Sequence, residues 1–138
     1  MIYYGRQYID EEDIQAVVDC LRSQHITQGP IIAKFENAIA KYVGSRFAVA
    51  VSSGTAALHL AAIAAKISPG KALLTSPITF VATPNSALYA GGTPLFADID
   101  RDTLNISPIE IEKMLNKHKN IEVISPVHFA GLSCDMIE

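Results

Sequence analysis

Apolar side chains recur at helical spacing in two series before Gly44, and a Gly29–Pro30 break separates them. The first series is Ile14, Val17, Val18 and Leu21, and the second is Phe35, Ile39, Tyr42 and Val43. The first follows Asp10 and three further acids, which suit the positive end of a helix dipole. Gly44 is a residue typical of a helix C-terminus. The pattern therefore predicts two amphipathic helices in this part of the chain.

Beyond Gly44, short apolar runs alternate with longer helical patterns. The runs predict strands over residues 47–51, 72–75, 95–99 and 121–127. The segments between them predict helices over residues 56–67, 79–90 and 108–117. The run at 47–51 is apolar at successive positions, as in a strand buried on both faces. Strands separated by helices predict an α/β domain with a mainly parallel sheet and flanking helices.

Three loops follow predicted strands, at residues 52–56, 76–80 and 128–131. In parallel α/β sheets, ligands bind beyond the carboxyl ends of the strands, so these loops should surround one site. The segment Ser53-Gly54-Thr55-Ala56 stands between a strand and a helix, where free backbone N–H groups bind phosphate. The same four residues also fit a tight turn with a capping hydroxyl, and both interpretations remain open.

Two further side chains in these loops could carry chemistry. Phe80 could stack on a flat cofactor ring, or it could be an ordinary core aromatic. His128 could be an acid–base group, a cofactor-pocket residue or a hydrogen-bonded loop histidine. No partner residues stand near His128 at metal-ligand spacing, so we expect no metal site. Asp98 and Asp100 are expected to cap a turn rather than to form a carboxylate pair.

Composition narrows the class of protein. Hydrophobic residues make up 49% of the 138 residues and charged residues 18%, as in a globular protein. The net charge of −3, with no basic stripe, gives no indication of nucleic-acid binding. No apolar stretch approaches the roughly 20 residues that a membrane span needs. Cys20 and Cys134 form no CxxC pair, so reduced thiols and a cytoplasmic location are expected.

Segments spread over nearly the whole chain resemble, together and in this order, the DegT/DnrJ/EryC1/StrS family of pyridoxal-phosphate (PLP) sugar aminotransferases. They are Thr27-Gln28-Gly29-Pro30 with Phe35-Glu36, Ser52-Ser53-Gly54-Thr55-Ala56-Ala57-Leu58, Pro77-Ile78-Thr79-Phe80-Val81-Ala82-Thr83 with Asn85, Pro94-Leu95-Phe96-Ala97-Asp98-Ile99, and Pro126-Val127-His128 with Gly131. The resemblance implies the fold-type-I aminotransferase architecture, of which residues 1–138 are the N-terminal part of the large, PLP-binding domain.

The resemblance also implies roles for particular residues. The loop at Gly54, Thr55 and Ala56 would hold the phosphate of pyridoxal 5'-phosphate, and Phe80 would stack on its pyridine ring. The segment Thr27, Gln28 and Gly29 would lie near the substrate pocket and the partner of a homodimer. His128 matches the loop beside the cofactor.

The resemblance implies a C-terminal half beyond Glu138, which members of the family have and residues 1–138 do not include. That half carries the Schiff-base lysine, the aspartate that pairs with the pyridine nitrogen and the small C-terminal domain. None of the chain's own lysines stands in the family's anchor position, including Lys66, Lys71, Lys113, Lys117 and Lys119. No catalytic residue is therefore expected here, and the chain should be inactive by itself.

The expected function is thus the N-terminal portion of an aminotransferase. Its substrates would be a nucleotide-linked 4-keto-6-deoxy sugar and an amino-acid donor. The nearest subgroup by resemblance aminates UDP-4-keto-6-deoxy-N-acetylhexosamines. Two alternatives stay open: a non-catalytic truncated remnant, and an α/β module that binds a phosphate compound or a partner.

Overall fold

The computed structural model describes residues 5–137, whose contacts group into two compact units divided between Ala50 and Val51. The first unit contains the two predicted helices, α1 (Glu11–Arg22) and α2 (Pro30–Val43). Asp10 begins α1 with a capping box: its carboxylate accepts hydrogen bonds from the N–H groups of Glu12 and Asp13. Gly44 ends α2 in the left-handed conformation, with φ of 70°.

The apolar stripes of α1 and α2 are exposed. Within the part of the chain that the structure describes, α1 has no buried residue and α2 buries Ala40 alone. Phe35 and Tyr42, which the sequence pattern placed on one side of α2, both lie open to solvent. Such contiguous apolar surface is typical of an interface with another chain or segment.

The second unit is built on a parallel sheet whose strand order is β2-β1-β3. Its strands are β1 (Ala72–Thr75), β2 (Thr93–Phe96) and β3 (Ile121–Ser125). Its helices are α3 (Gly54–Ala64), α4 (Ala82–Tyr89) and α5 (Pro108–Lys117). The α/β architecture with a parallel sheet and flanking helices is therefore confirmed.

The central strand β1 carries the core on both of its faces. Successive side chains of a strand point to opposite faces, so Leu73 and Leu74 enter two different apolar clusters. Leu73 packs with Ala62, Ile67 and Ala87. Leu74 packs with Ala97, Ile106 and Cys134. This double burial is why β1 reads as a continuous apolar run in the sequence.

The predicted strand at residues 47–51 is wrong. Within residues 5–137 no strand pairs with this segment, and Phe47 and Val49 are 73% and 76% exposed. Apolar composition makes a segment suited to a sheet, but a strand exists only where a neighbour completes the hydrogen-bond ladder.

The third predicted strand, at 95–99, is displaced to 93–96. Its ladder with β1 ends where the Ala97 N–H donates to the Thr75 carbonyl at 3.0 Å. Beyond that point Ile99 turns to an isolated antiparallel bridge with Ile106. The fourth strand ends at Ser125 rather than 127, because Pro126 has no N–H to donate.

Candidate functional site

The loops after β1 and β3 leave the sheet at the same edge. The two strands are parallel neighbours with Thr75 opposite Ser125, and the Thr75 hydroxyl donates to the Ser125 carbonyl at 2.7 Å. Phe80 lies in the loop after β1, and His128 lies in the loop after β3. The structure therefore brings these two predicted site residues to one edge of the sheet.

The start of α3 presents unused hydrogen-bond donors. Ser53 is the N-cap: its hydroxyl accepts from the Ala56 N–H at 3.2 Å, and its carbonyl accepts from the Ala57 N–H at 3.0 Å. The N–H groups of Gly54 and Thr55 stand in the first turn, where a helix offers no acceptor. No group among residues 5–137 accepts a hydrogen bond from either of these two N–H groups. Both residues are exposed, so these donors and the helix dipole are open to an anion.

Gly54 is not required by the chain's own packing. A Cβ added there would meet nothing within 4 Å, and the backbone of Gly54 is outside the left-handed region that favours glycine. The space beside its N–H group is therefore free for close approach by a phosphate. The capping turn and an anion site at this helix start do not exclude each other, because the Ser53 hydroxyl uses only the N–H of Ala56.

Phe80 is not a core aromatic of this chain, because it is 73% exposed. The loop that carries it is stiffened by local hydrogen bonds. The Ser76 hydroxyl accepts from the Ile78 N–H at 3.1 Å, and the Thr79 hydroxyl donates to that of Thr83 at 2.8 Å. An exposed ring on an ordered loop at this edge is suited to stacking on a flat ring. Helix α4, which follows this loop, packs against α3.

His128 is a hydrogen-bonded loop histidine, one of the alternatives left open by its sequence context. Its Nδ1 accepts a hydrogen bond from the Cys134 N–H at 3.0 Å. The sequence reasoning missed Asn105, a buried residue that holds the same loop. The Asn105 side chain donates to the carbonyls of Leu132 and Ser133 and accepts from the Phe129 N–H. No local signal marks it, because these partners lie 24 to 28 residues away in the chain.

The segment Thr27, Gln28 and Gly29 belongs to the first compact unit and forms a bend before α2. Gln28 has a left-handed φ of 51°, and a Cβ at Gly29 would stand 2.7 Å from the His25 carbonyl oxygen. The turn itself therefore requires glycine at position 29, independently of any ligand. Thr27 and Gln28 are exposed.

Asp100 caps the turn after β2, as expected. Its carboxylate accepts hydrogen bonds from the Thr103 N–H, the Thr103 hydroxyl and the Asp102 N–H. These bonds, led by the one from the Thr103 N–H, lower the pKa of Asp100 from its ordinary value. Asp98 accepts from the Ile99 N–H and makes no pair with Asp100.

The part of the chain that the structure describes, residues 5–137, offers neither a metal site nor a membrane span. No group of three or more His, Cys, Asp or Glu side chains in that range could hold a metal ion. No helix there combines the length and apolar character needed to cross a membrane.

Residues 7–138 match the model of the DegT/DnrJ/EryC1/StrS aminotransferase family. The chain belongs to this family. It is 45% identical over 133 residues to the spore coat polysaccharide biosynthesis protein SpsC of Bacillus subtilis, covering 96% of this chain and 34% of SpsC. It is 40% identical over 131 residues to the UDP-4-amino-4-deoxy-L-arabinose–oxoglutarate aminotransferase of Shewanella sediminis, covering 95% and 33% of the two chains.

A solved structure agrees with these sequence matches. The PMP-form of the putative sugar aminotransferase Spr1654 from Streptococcus pneumoniae superposes with a TM-score of 0.89 at 32% identity, covering 98% of this chain and 33% of that one. The fold-type-I aminotransferase fold is thereby confirmed. The chain spans about a third of the length of the relatives it matches.

Proposed function

We propose that this chain is the N-terminal, cofactor-phosphate-binding portion of a PLP-dependent aminotransferase that acts on a nucleotide-linked 4-keto-6-deoxy sugar. The observation that carries the proposal is the start of α3, where Gly54 leaves open space beside two unused N–H donors. Family membership supplies the identity of the phosphate compound, which the geometry alone does not specify.

The residues present fit the phosphate and the ring of pyridoxal 5'-phosphate. The N–H groups of Gly54 and Thr55, with the Thr55 hydroxyl, would donate to the phosphate oxygens. The Ala56 N–H would join them only by giving up the Ser53 hydroxyl, to which it already donates. Phe80 would cover one face of the pyridine ring. When bound, the cofactor supplies the electron sink for moving an amino group between an amino acid and a keto sugar.

The substrate class is inferred from the relatives by analogy. The Shewanella sediminis enzyme is named for a UDP-linked 4-amino sugar and oxoglutarate, the two products formed when glutamate transfers its amino group to a 4-keto sugar nucleotide. By analogy, we propose that the amino-group acceptor is a UDP-linked 4-keto sugar and that the donor is glutamate. The more specific proposal is that the sugar is a 6-deoxy-N-acetylhexosamine. The free thiols of Cys20 and Cys134 fit a reducing cytoplasm.

The large domain would be completed by sequence outside residues 1–138, including the lysine that anchors the cofactor and the aspartate facing the pyridine nitrogen. The chain by itself would then bind the cofactor phosphate but would not catalyse amino transfer. A homodimer is also proposed, since the exposed apolar stripes of α1 and α2 offer contact surface and Thr27–Gly29 lies between these helices in sequence.

A phosphate-binding module without catalysis is the second candidate. It is favoured by the donors at Gly54 and Thr55, which are formed within this chain and need no other segment. The two candidates predict the same phosphate contacts and differ in the ring: a PLP protein needs Phe80, whereas a general phosphate binder does not.

Replacing Gly54 with alanine is expected to weaken ligand binding without lowering the stability of the fold. The free energy of unfolding should stay constant or rise by up to about 1 kcal/mol, because the added methyl meets nothing and restricts the unfolded chain. Affinity for pyridoxamine 5'-phosphate should fall by about tenfold or more, or about 1.4 kcal/mol, because the methyl occupies the approach to the N–H donors. Calorimetric titration and thermal unfolding measure the two quantities.

Pyridoxamine 5'-phosphate is the suitable probe because it has no aldehyde to react with surface lysines. Asn120→Ala is the matched control: Asn120 lies at the amino end of β3, away from the site edge, and donates to the Gly70 carbonyl. The control should bind as the unmodified chain does. Equal affinity in Gly54→Ala and the unmodified chain would contradict the assignment.

A further inference from the structure

A hydrogen bond from the loop backbone gives the two ring nitrogens of His128 different roles. The Cys134 N–H can only donate, so the His128 Nδ1 at 3.0 Å must be the acceptor and bears no proton. A neutral imidazole with an unprotonated Nδ1 has its proton on Nε2. His128 is exposed, and within residues 5–137 no group accepts a hydrogen bond from this Nε2.

The loop that presents His128 is fixed by two buried side chains. Asn105 is 4% exposed, and its amide spends both donors on the carbonyls of Leu132 and Ser133 at 3.1 Å. Its oxygen accepts from the Phe129 N–H at 2.9 Å. Asn105 therefore holds the loop at the first residue of the short 3₁₀ turn Phe129–Gly131 and directly after the turn.

Cys134 closes the loop from its far end. The side chain of Cys134 is buried against Leu74 in the core, and its Sγ donates to the Val127 carbonyl at 3.1 Å. Its N–H is the donor to His128. The residues before and after the turn are thereby joined, and the orientation of the imidazole follows from contacts with the core.

We infer that Asn105 and Cys134 hold His128 as a neutral Nε2–H donor, aimed at an acceptor oxygen of the ligand bound at the carboxyl edge of the sheet. Asn105 is then a positioning residue, acting through His128. The existence and identity of the ligand rest on the proposed function. The tautomer of His128 does not, and neither does the loop clamp, by which we mean the hydrogen bonds from Asn105 and Cys134 that fix the His128 loop.

The tautomer is tested first, on the chain without ligand. Long-range proton–nitrogen NMR correlations of the ¹⁵N-labelled chain, at a pH where imidazole is neutral, assign the proton to one ring nitrogen. We expect the His128 Nδ1 to appear as an unprotonated acceptor and Nε2 as the protonated nitrogen. A proton on Nδ1, or an even mixture of the two forms, would overturn the inference.

The clamp is tested by Asn105→Asp, which keeps the acceptor for the Phe129 N–H and removes both donors. Asn120→Asp makes the same chemical change at an exposed asparagine that donates to the Gly70 carbonyl. The His128 nitrogen signals should move toward the average of the two tautomers in Asn105→Asp and stay fixed in Asn120→Asp. Unchanged signals in Asn105→Asp would show that Asn105 does not position His128.

Should Asn105→Asp fail to fold, amide exchange in the unmodified chain decides instead. The N–H groups of Phe129 and Cys134 should exchange about tenfold or more slower than the unbonded N–H of Gly54. Exchange as fast as at Gly54 would contradict the clamp.

The ligand contact is tested by adding pyridoxamine 5'-phosphate to the labelled chain. The His128 Nε2–H resonance should shift, and His128→Phe should weaken binding about tenfold through loss of one donor. No shift at His128 would overturn the contact, whatever else moves. Shifts at Gly54 and Phe80 report separately on the proposed function, so the two failures are distinguishable.

Discussion

Replacing Leu74 with alanine is expected to lower the free energy of unfolding by about 3 kcal/mol. Leu74 is 0% exposed at the third position of the central strand, and its cluster contains Ala97, Ile106 and Cys134. Truncation loses the transfer free energy of the side chain and leaves a cavity, which strands on both sides of β1 prevent from collapsing. Denaturant unfolding followed by circular dichroism measures the change.

Leu60→Ala makes the same chemical change on α3, where Leu60 is 50% exposed. Its cost should stay below about 1 kcal/mol, because little apolar area leaves water on folding at that position. If the two variants are equally destabilised, β1 is not the centre of the core.

Replacing Gly92 with alanine is expected to destabilise the chain by about 2–3 kcal/mol, through crowding rather than a cavity. A Cβ there would stand 2.4 Å from Ile67 Cγ2 and 3.0 Å from the Lys71 carbonyl oxygen. Neither neighbour moves freely. Ile67 is buried in the cluster with Leu73, and the Lys71 carbonyl accepts from the Thr93 N–H in the sheet at 2.9 Å.

A double variant identifies the crowding partner. Ile67→Ala removes the Cγ2 atom and should be destabilising by itself, since Ile67 is buried. Combined with Gly92→Ala, it should cost less than the sum of the single changes, because the added methyl then has room. Additive costs would show that Ile67 is not what crowds position 92. Gly54→Ala, where nothing stands within 4 Å, controls for loss of glycine as such.

The elements that could be predicted from the sequence are those with local signals. Asp10 before α1 and Gly44 after α2 are helix caps in the structure, as the sequence indicates. These caps act within one turn of the residue that supplies them, so sequence context is enough. The prediction of a strand at residues 47–51 was wrong because strand formation there depends on a distant partner, which the composition of the segment does not reveal.

The site shows the same division between local and distant causes. Phe80 and His128 could be placed at one edge because parallel strands put their carboxyl ends together, and the pairing of Thr75 with Ser125 agrees. Asn105 could not be found, since its three hydrogen bonds reach residues far along the chain. The resemblance places Gly29 near the substrate, but glycine is required at this position for a local reason, because a Cβ would collide with the His25 carbonyl.

We propose that residues 1–138 hold the cofactor phosphate of an aminotransferase whose covalent lysine lies outside them. The most direct test takes the gene product from its natural source, fixes pyridoxal phosphate to its lysine with borohydride and maps the labelled peptide by mass spectrometry. We expect an intact mass well above 14.9 kDa and a single label on a lysine beyond Glu138. A stoichiometric label on a lysine within residues 1–138, or an intact product of 14.9 kDa, would contradict it.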